Sequence, residues 1–319
     1  MILSASRRTD IPAFFSDWFF NRIKEGNVCV RNPMNAYQVS RINISPEVTD
    51  CIVFWTKNPM PMLERLDELK KYTYYFQYTI NAYSADTEPF VPPLEERIDA
   101  FRRLSQKIGC ERVIWRYDPI ILTKKYDISF HLDSIKRIAS ELKGYTEKMV
   151  FSFVDVYSGK NQKTLIRMGN RNFSDPELEY FVKELTEIAA ENHIVLATCA
   201  EKIDLEKYGI THNSCIDGEL IERITGCRLK TKADNQRGEC RCIKCEDIGS
   251  YDTCTHGCTY CYANFRREIA LEKVKHYDPA SPLLCDFIDT ENDKITDRPV
   301  RSLKIADEDE GSFEQLKLF

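Results

Sequence analysis

No run of roughly 18 or more apolar residues occurs in the sequence, so no segment reads as a membrane-spanning helix. The opening MILSASRRTD also lacks the apolar stretch of a secretory signal. A soluble, cytoplasmic protein is the expectation. Strong net charge is missing as well: 45 Lys and Arg stand against 50 Asp and Glu. The imbalance is local. Residues 286–319 hold 10 acidic and 5 basic side chains, which leaves 50 − 10 = 40 acidic and 45 − 5 = 40 basic in residues 1–285. The body is therefore neutral overall, and composition leaves a basic face for phosphates open without showing one. There is no internal repeat, and no Gly-rich phosphate-binding turn follows the first apolar run. That absence counts against a doubly wound dinucleotide-binding sheet.

What is present is apolar material for a full core: 43% of 319 residues are hydrophobic and 11% aromatic. Short β-rich runs at 2–6, 28–31, 50–56, 74–80, 112–117, 148–155 and 194–199, with an eighth near 213–217, alternate with stretches of helical period. Those stretches lie at 16–25, 60–71, 94–108, 129–143, 175–192 and 218–226, with Ser174 before Asp175 and Pro176 reading as an N-cap. Seven or eight β/α units predict a (β/α) barrel, complete or partial, over residues 1–226. Residues 227–285 form a cysteine-rich segment expected to cover the barrel mouth, and 286–319 read as a flexible acidic tail.

Polar residues recur where the expected strands end: Arg7, Asp10, Arg31, Lys57, Asn58, Asn81, Arg116, Asp118, Asp155, Cys199 and Glu201. Barrel active sites are assembled at that rim, which makes Arg7, Asp10, Lys57, Asn58, Arg116 and Asp118 the candidate catalytic residues. The cations Arg7, Arg31, Lys57 and Arg116 favour an anionic ligand group. Taken singly, each is also what a turn or cap uses. Trp55 beside Lys57, and Trp115 and Tyr117 beside Arg116, could stack a base; core packing is the competing role.

Seven of the thirteen cysteines fall between positions 227 and 261. In a reducing compartment such crowding reads as metal ligation, whereas scattered cysteines such as Cys29 and Cys51 behave as small hydrophobes. Cys254, Cys258 and Cys261 have the spacing C-x3-C-x2-C. Three thiolates from one loop can hold three irons of a cubane and leave the fourth iron open.

This spacing, with Tyr260 directly before the third cysteine, resembles the signature of radical S-adenosylmethionine enzymes. The resemblance implies a four-iron four-sulfur cluster on Cys254, Cys258 and Cys261, S-adenosylmethionine as cofactor, and Tyr260 near its adenine. It further implies a reductant protein such as flavodoxin or ferredoxin, and a 5′-deoxyadenosyl radical that takes hydrogen from the substrate. Most of that superfamily carries the motif near the N-terminus, whereas here it lies in the last quarter. No Gly-Gly-Glu segment is evident, and Glu201 is the candidate for its polar role at the methionyl group. Over residues 1–265 the chain looks like a family of unknown function sharing SxRRTDIPAF, FWTKNP, WRYDP and this cysteine cluster.

Cys240, Cys242 and Cys245, with Cys227 or Cys199, are candidates for an auxiliary iron–sulfur cluster. His256 is expected to donate a hydrogen bond to the motif cluster rather than to ligate it. Zinc is the alternative: Cys242 with Cys245 and Cys258 with Cys261 supply two C-x2-C knuckles, giving a nucleic-acid or protein-binding module without catalysis. The favoured expectation is a radical enzyme acting on an anionic substrate, DNA or a nucleotide, in repair or modification. The final QLKLF, from Gln315 to Phe319, resembles the peptide by which bacterial repair and replication proteins bind the sliding clamp, which implies recruitment to DNA.

Overall fold

In chain order the strands are β1 (Ile2–Ala5), β2 (Asn27–Asn32), β3 (Asn35–Asn43), β4 (Cys51–Thr56), β5 (Tyr74–Thr79), β6 (Val113–Ile120), β7 (Lys148–Phe153), β8 (Val195–Thr198), β9 (Thr211–His212), β10 (Glu246–Asp247) and β11 (Lys294–Arg298). They come from a computed structural model that describes residues 1–156, 160–231 and 240–305. Eight of them form one parallel sheet in the order β10-β1-β4-β5-β6-β7-β8-β9.

Both faces of this sheet are buried, and the alternation along each strand decides which side chain goes where. Ile52 and Phe54, Tyr74, Phe76 and Tyr78, Val113, Trp115 and Tyr117, and Met149 and Phe151 point to the main core. Helices Ser16–Glu25, Leu94–Ile108, Ile128–Leu142 and Asp175–Glu191 contribute their apolar stripes to the same core. The intervening Cys51, Val53, Tyr75, Ile114 and Val150 point to the opposite face, where they meet Ile216, Leu220, Ile221 and Ile243. Toward the C-terminal ends of the strands that second face changes character, from apolar to Gln77, Arg116, Asp118, Ser152 and Cys199.

The fold is α/β with a large parallel sheet, as expected, but barrel closure is not found among the described residues. The edge strands β9 and β10 have two residues each, too few for a ladder. Between them runs the segment 240–245: the Ile243 amide donates to Ile216 O at 3.2 Å, and Ser214 Oγ donates to Arg241 O at 2.9 Å. Cysteine-rich chain thus lies across the gap that a closing strand pair would fill.

Three further expectations need correction. The run 28–31 is not a strand of the main sheet. It lies in β2, antiparallel to β3, in a separate three-stranded sheet of order β11-β3-β2. The run 60–71 is broken into a helical turn Met60–Leu63 and a 3-10 turn Leu66–Leu69. The stretch 286–305 is no loose tail: β11 pairs in parallel with β3, and Arg31 forms ion pairs with Asp286 (2.6 Å) and Asp293 (2.5 Å). Acidic side chains there are matched to basic partners on β2 and β3, Arg41 with Asp297 included. The terminal QLKLF lies outside the described residues. Among those described, no helix is long and apolar enough to cross a membrane.

His131, on helix Ile128–Leu142, is fully buried. Its Nε2 lies 3.1 Å from Ile121 O, which can only accept, so Nε2 carries the proton and Nδ1 accepts from Tyr117 Oη at 2.9 Å. Burial brings the imidazole down from 6.5 to about 4. Because the unfolded chain binds the proton more tightly, this contribution is complete above about pH 6.5 and lost as pH falls toward 4, by on the order of 3 kcal/mol. Urea unfolding at a series of pH values checks this. The stability difference between the native protein and His131→Gln should narrow across that window, and a difference independent of pH rules out a buried neutral histidine.

Candidate functional site

The polar ends of the strands enclose a cleft of about 880 Å³. Its walls carry Arg7, Asp10, Lys57, Arg116 and Asp118, and the same cleft is lined by Cys254, Cys258 and Cys261 and by Cys199, Cys215, Cys240, Cys242 and Cys245. Parallel strands deliver these groups to one rim because each leaves the sheet in the same direction.

Asp10 organises the rim. One carboxylate oxygen accepts from the Ala13 amide at 3.0 Å and from Thr56 Oγ1 at 2.7 Å; the other accepts from the Lys57 amide at 2.7 Å and faces His256 Nε2 at 2.9 Å. The carboxylate caps the short helix after β1, fixes the end of β4 and anchors the cysteine loop. With four donors on two buried oxygens, Asp10 is a positioning residue rather than a group free to act on a ligand. His256 is likewise committed, with Nδ1 3.3 Å from Phe90 O, and it is its backbone amide, not its ring, that donates to the Cys254 sulfur.

A second knot joins strand ends to the loop. Lys57 Nζ donates to Glu88 Oε1 at 2.8 Å, Tyr260 Oη donates to the same oxygen, and Arg97 lies 3.7 Å from Glu88 Oε2. Burial alone would raise the Glu88 carboxyl, but the cations of Lys57 and Arg97 outweigh it and hold it below its ordinary value. Burial would likewise lower the Lys57 ammonium, and Glu88 and Cys258 more than reverse that. Glu88 escaped the sequence reading because it sits between strands in the loop 80–93, where nothing local marks it. Its only signal was a carboxylate in a stretch with three prolines.

Arg116 and Asp118 point into the cleft as a pair, joined by the guanidinium Nε to Asp118 Oδ2 contact at 3.0 Å, and Ser152 donates to the other oxygen. Burial pushes the Asp118 carboxyl up, but Arg116 overrides it and holds it low. Trp115 and Tyr117, on the opposite face of β6, are fully buried in the main core and cannot stack a base. Trp55 does line the cleft, with the Arg7 guanidinium 5.8 Å from its ring. Three of the expected rim residues turn elsewhere, the first being Asn81, which is fully buried and donates from Nδ2 to Asp118 O at 3.0 Å. Asn58 Oδ1 accepts from the Met60 amide at 3.2 Å, starting a helical turn. Glu201 accepts from the Phe153 amide at 2.8 Å and is not among the cleft-lining residues, while burial raises its carboxyl to about 7.

The motif loop turns at Gly257, whose φ of +69° favours glycine, and a Cβ there would come within 3.0 Å of Phe90 and Arg267. The Cys261 amide donates to Cys258 O at 3.2 Å, closing the turn. Burial pushes the Cys254 and Cys258 thiols well up, and their charges act on one another. Among the described residues no three His, Cys, Asp or Glu side chains converge on a single ion position. Three cysteines of one loop that line a common cleft are the donor type a cubane takes, one sulfur to each of three irons.

Four further cysteines that line the cleft form a row, whereas the Cys227 thiol turns to Thr225 O. Cys199 Sγ and Cys215 Sγ are 3.2 Å apart, Cys215 is hydrogen-bonded to Cys242, and Cys242 to Cys240. Cys245 lies beside the Arg7 guanidinium at 3.3 Å. The hydrogen bond from Cys242 brings the Cys240 thiol down to about 6. Cys215 was not singled out in the sequence because it is isolated there.

A family model described as Domain of unknown function (DUF1848) matches residues 2–263, a span that ends just beyond the motif loop. No curated protein matches the chain.

Asp10→Ala should cost roughly 2–4 kcal/mol of stability, since it strands buried donors on three segments. In metal-free protein it should also free the motif loop, so that Cys254, Cys258 and Cys261 alkylate faster, as read by mass spectrometry of peptides. Lower stability with unchanged alkylation would mean that the carboxylate does not hold the loop.

Proposed function

The chain belongs to this DUF1848 family, and on that premise we propose that it is a radical S-adenosylmethionine enzyme acting on an anionic substrate, DNA or a nucleotide. The observation that carries the proposal is that Cys254, Cys258 and Cys261 share one tight loop and face a cleft lined by Arg7, Lys57, Trp55 and Tyr260. When bound, a four-iron four-sulfur cluster with S-adenosylmethionine would supply reductive cleavage of the sulfonium.

The chain's own residues divide the remaining work. The three thiolates would hold the cluster. Arg7 and Lys57 would neutralise carboxylate or phosphate on whatever enters, although Lys57 is shared with Glu88. Tyr260, fixed through its hydroxyl to Glu88 and through its backbone carbonyl to Asn161 Nδ2 at 2.7 Å, presents a held ring beside the cysteines. Trp55, half-buried, offers a face for a base. Glu201 is turned to the Phe153 amide and Glu88 is paired with Lys57 and Arg97, and neither lines the cleft, so neither is placed to take a cationic amino group there.

The zinc-ribbon reading needs Cys242 and Cys245 to meet Cys258 and Cys261. Instead Cys242 contacts Cys215 and Cys240, while Cys258 has Lys57 and Glu88 as neighbours, which speaks against that pairing.

Anaerobic purification and reconstitution with iron and sulfide should give a brown protein that cleaves S-adenosylmethionine under reduction. Each of Cys254→Ala, Cys258→Ala and Cys261→Ala should abolish the cleavage, because each removes a ligand from the same cluster. Cleavage retained in any one of them rejects the assignment. Recruitment to DNA through the terminal QLKLF is proposed alongside, on the resemblance of that peptide alone. A labelled peptide of residues 307–319 should bind the bacterial sliding clamp in fluorescence anisotropy, with at least about tenfold weaker binding, about 1.4 kcal/mol, for Gln315→Ala with Phe319→Ala. Equal binding of the two peptides removes the tether.

A further inference from the structure

We propose that Cys199, Cys215, Cys240 and Cys242 form a second metal centre, distinct from the motif loop, that takes a thiophilic metal through four thiolates.

The four come from three separate segments: the end of β8, the loop after β9 and the chain leading to β10. Only the fold brings them together, as the row that begins with the 3.2 Å contact between Cys199 and Cys215. Four buried or half-buried cysteines in one row are more than packing needs, since a single cysteine already serves as a small hydrophobe.

The groups around the sulfurs carry the inference further. Arg116 directs a guanidinium N–H at Cys215 Sγ at 3.0 Å, Asn213 Nδ2 lies 3.6 Å from the same sulfur, and the Ile216 amide donates to Cys242 Sγ at 3.3 Å. A neutral thiol is a weak acceptor, whereas thiolate and metal-bound sulfur are tuned by N–H donors of this kind. Ile216, Leu220, Ile221 and Ile243 pack behind the row and limit water on that side. The site is thus cationic at one sulfur and apolar behind, which suits an anionic thiolate centre.

The row is arranged for hydrogen bonds between thiols, not yet for a common metal. A tetrahedral zinc with bonds of about 2.3 Å sets all its sulfurs roughly 3.8 Å apart, so the row has to fold up around the metal, with the Cys199–Cys215 pair parting by about half an ångström and Cys240 and Cys242 drawing in toward Cys199. An iron–sulfur cluster would spread them further. In either case each ligating thiol releases its proton to solvent and the metal takes the sulfur lone pair; no electron is transferred.

The test removes the motif site first, so that failure of the radical-enzyme reading and failure of this proposal are told apart. A variant with Cys254→Ser, Cys258→Ser and Cys261→Ser is purified anaerobically, checked for native circular dichroism, and analysed for zinc, iron and acid-labile sulfide. It should retain about one zinc, or several irons with matching sulfide, and the two results tell a mononuclear centre from a cluster. Adding Cys215→Ser and Cys242→Ser should remove that metal. A folded motif variant that binds neither zinc nor iron overturns the proposal, and so does metal that survives the two added substitutions. If the fivefold variant does not fold, Co²⁺ added to the metal-free motif variant should give sulfur-to-cobalt charge-transfer absorption, and its absence overturns the proposal equally.

Discussion

The carboxylate of Asp10 is the constraint on which the cleft depends. It lies just after β1, yet its partners include Thr56 and Lys57 at the end of β4 and His256, which is 246 residues away in the chain. A buried carboxylate cannot be left without donors, because desolvation costs more than any one hydrogen bond returns. The segments that supply those donors are therefore held to one another. The position of the cysteine loop over the strand ends is a consequence of satisfying this one group, and Gly257 lets the loop turn tightly enough to reach it.

The same logic shapes the rest of the rim. Charges at the C-terminal ends of the strands are mostly paired: Lys57 with Glu88, Arg116 with Asp118, Arg7 with Asp247. Pairing keeps buried cations and carboxylates ionised where burial alone would neutralise them. It also means that the anion-binding capacity of the cleft is smaller than a count of its cations suggests. A ligand that engages Lys57 or Arg116 does so in competition with a resident carboxylate, and its affinity is set by the difference.

The open sheet and the thiol row are linked. A fully closed barrel would fill the space between its first and last strands with a ladder of backbone hydrogen bonds. Here β9 and β10 are too short for that, and the segment 240–245 occupies the gap, with Ile243 against Ile216 and Cys242 against Cys215. Cysteines enter the sheet's second core as apolar side chains do, but with sulfurs gathered where the core meets the polar cleft. The lack of closure is thus what gives that part of the chain a role in the interior.

Much of this was legible in the sequence. Strands at 50–56, 74–80 and 148–155 and the helix at 94–108 announce themselves through local periodicity, because burial of both sheet faces demands continuous apolar runs and burial of one helix face demands a stripe. The C-x3-C-x2-C spacing and the polar strand ends are local too, so Cys254, Lys57, Arg116 and Asp118 could be named without coordinates. What was not legible depends on partners distant in the chain. Nothing near Asp10 says that its four donors leave it no freedom, nothing near Glu88 or Cys215 marks them, and the acidic stretch 286–305 looks like a tail until Arg31 and Arg41 are found opposite it. By itself the sequence determined most of the strands and helices of the parallel sheet, because those follow from spacing along the chain, but not β3, β11 or the break in 60–71. Only the tertiary structure decided whether the sheet closes, which cysteines meet and which charges are free, because each of those is a matter of distance between residues that the chain keeps far apart.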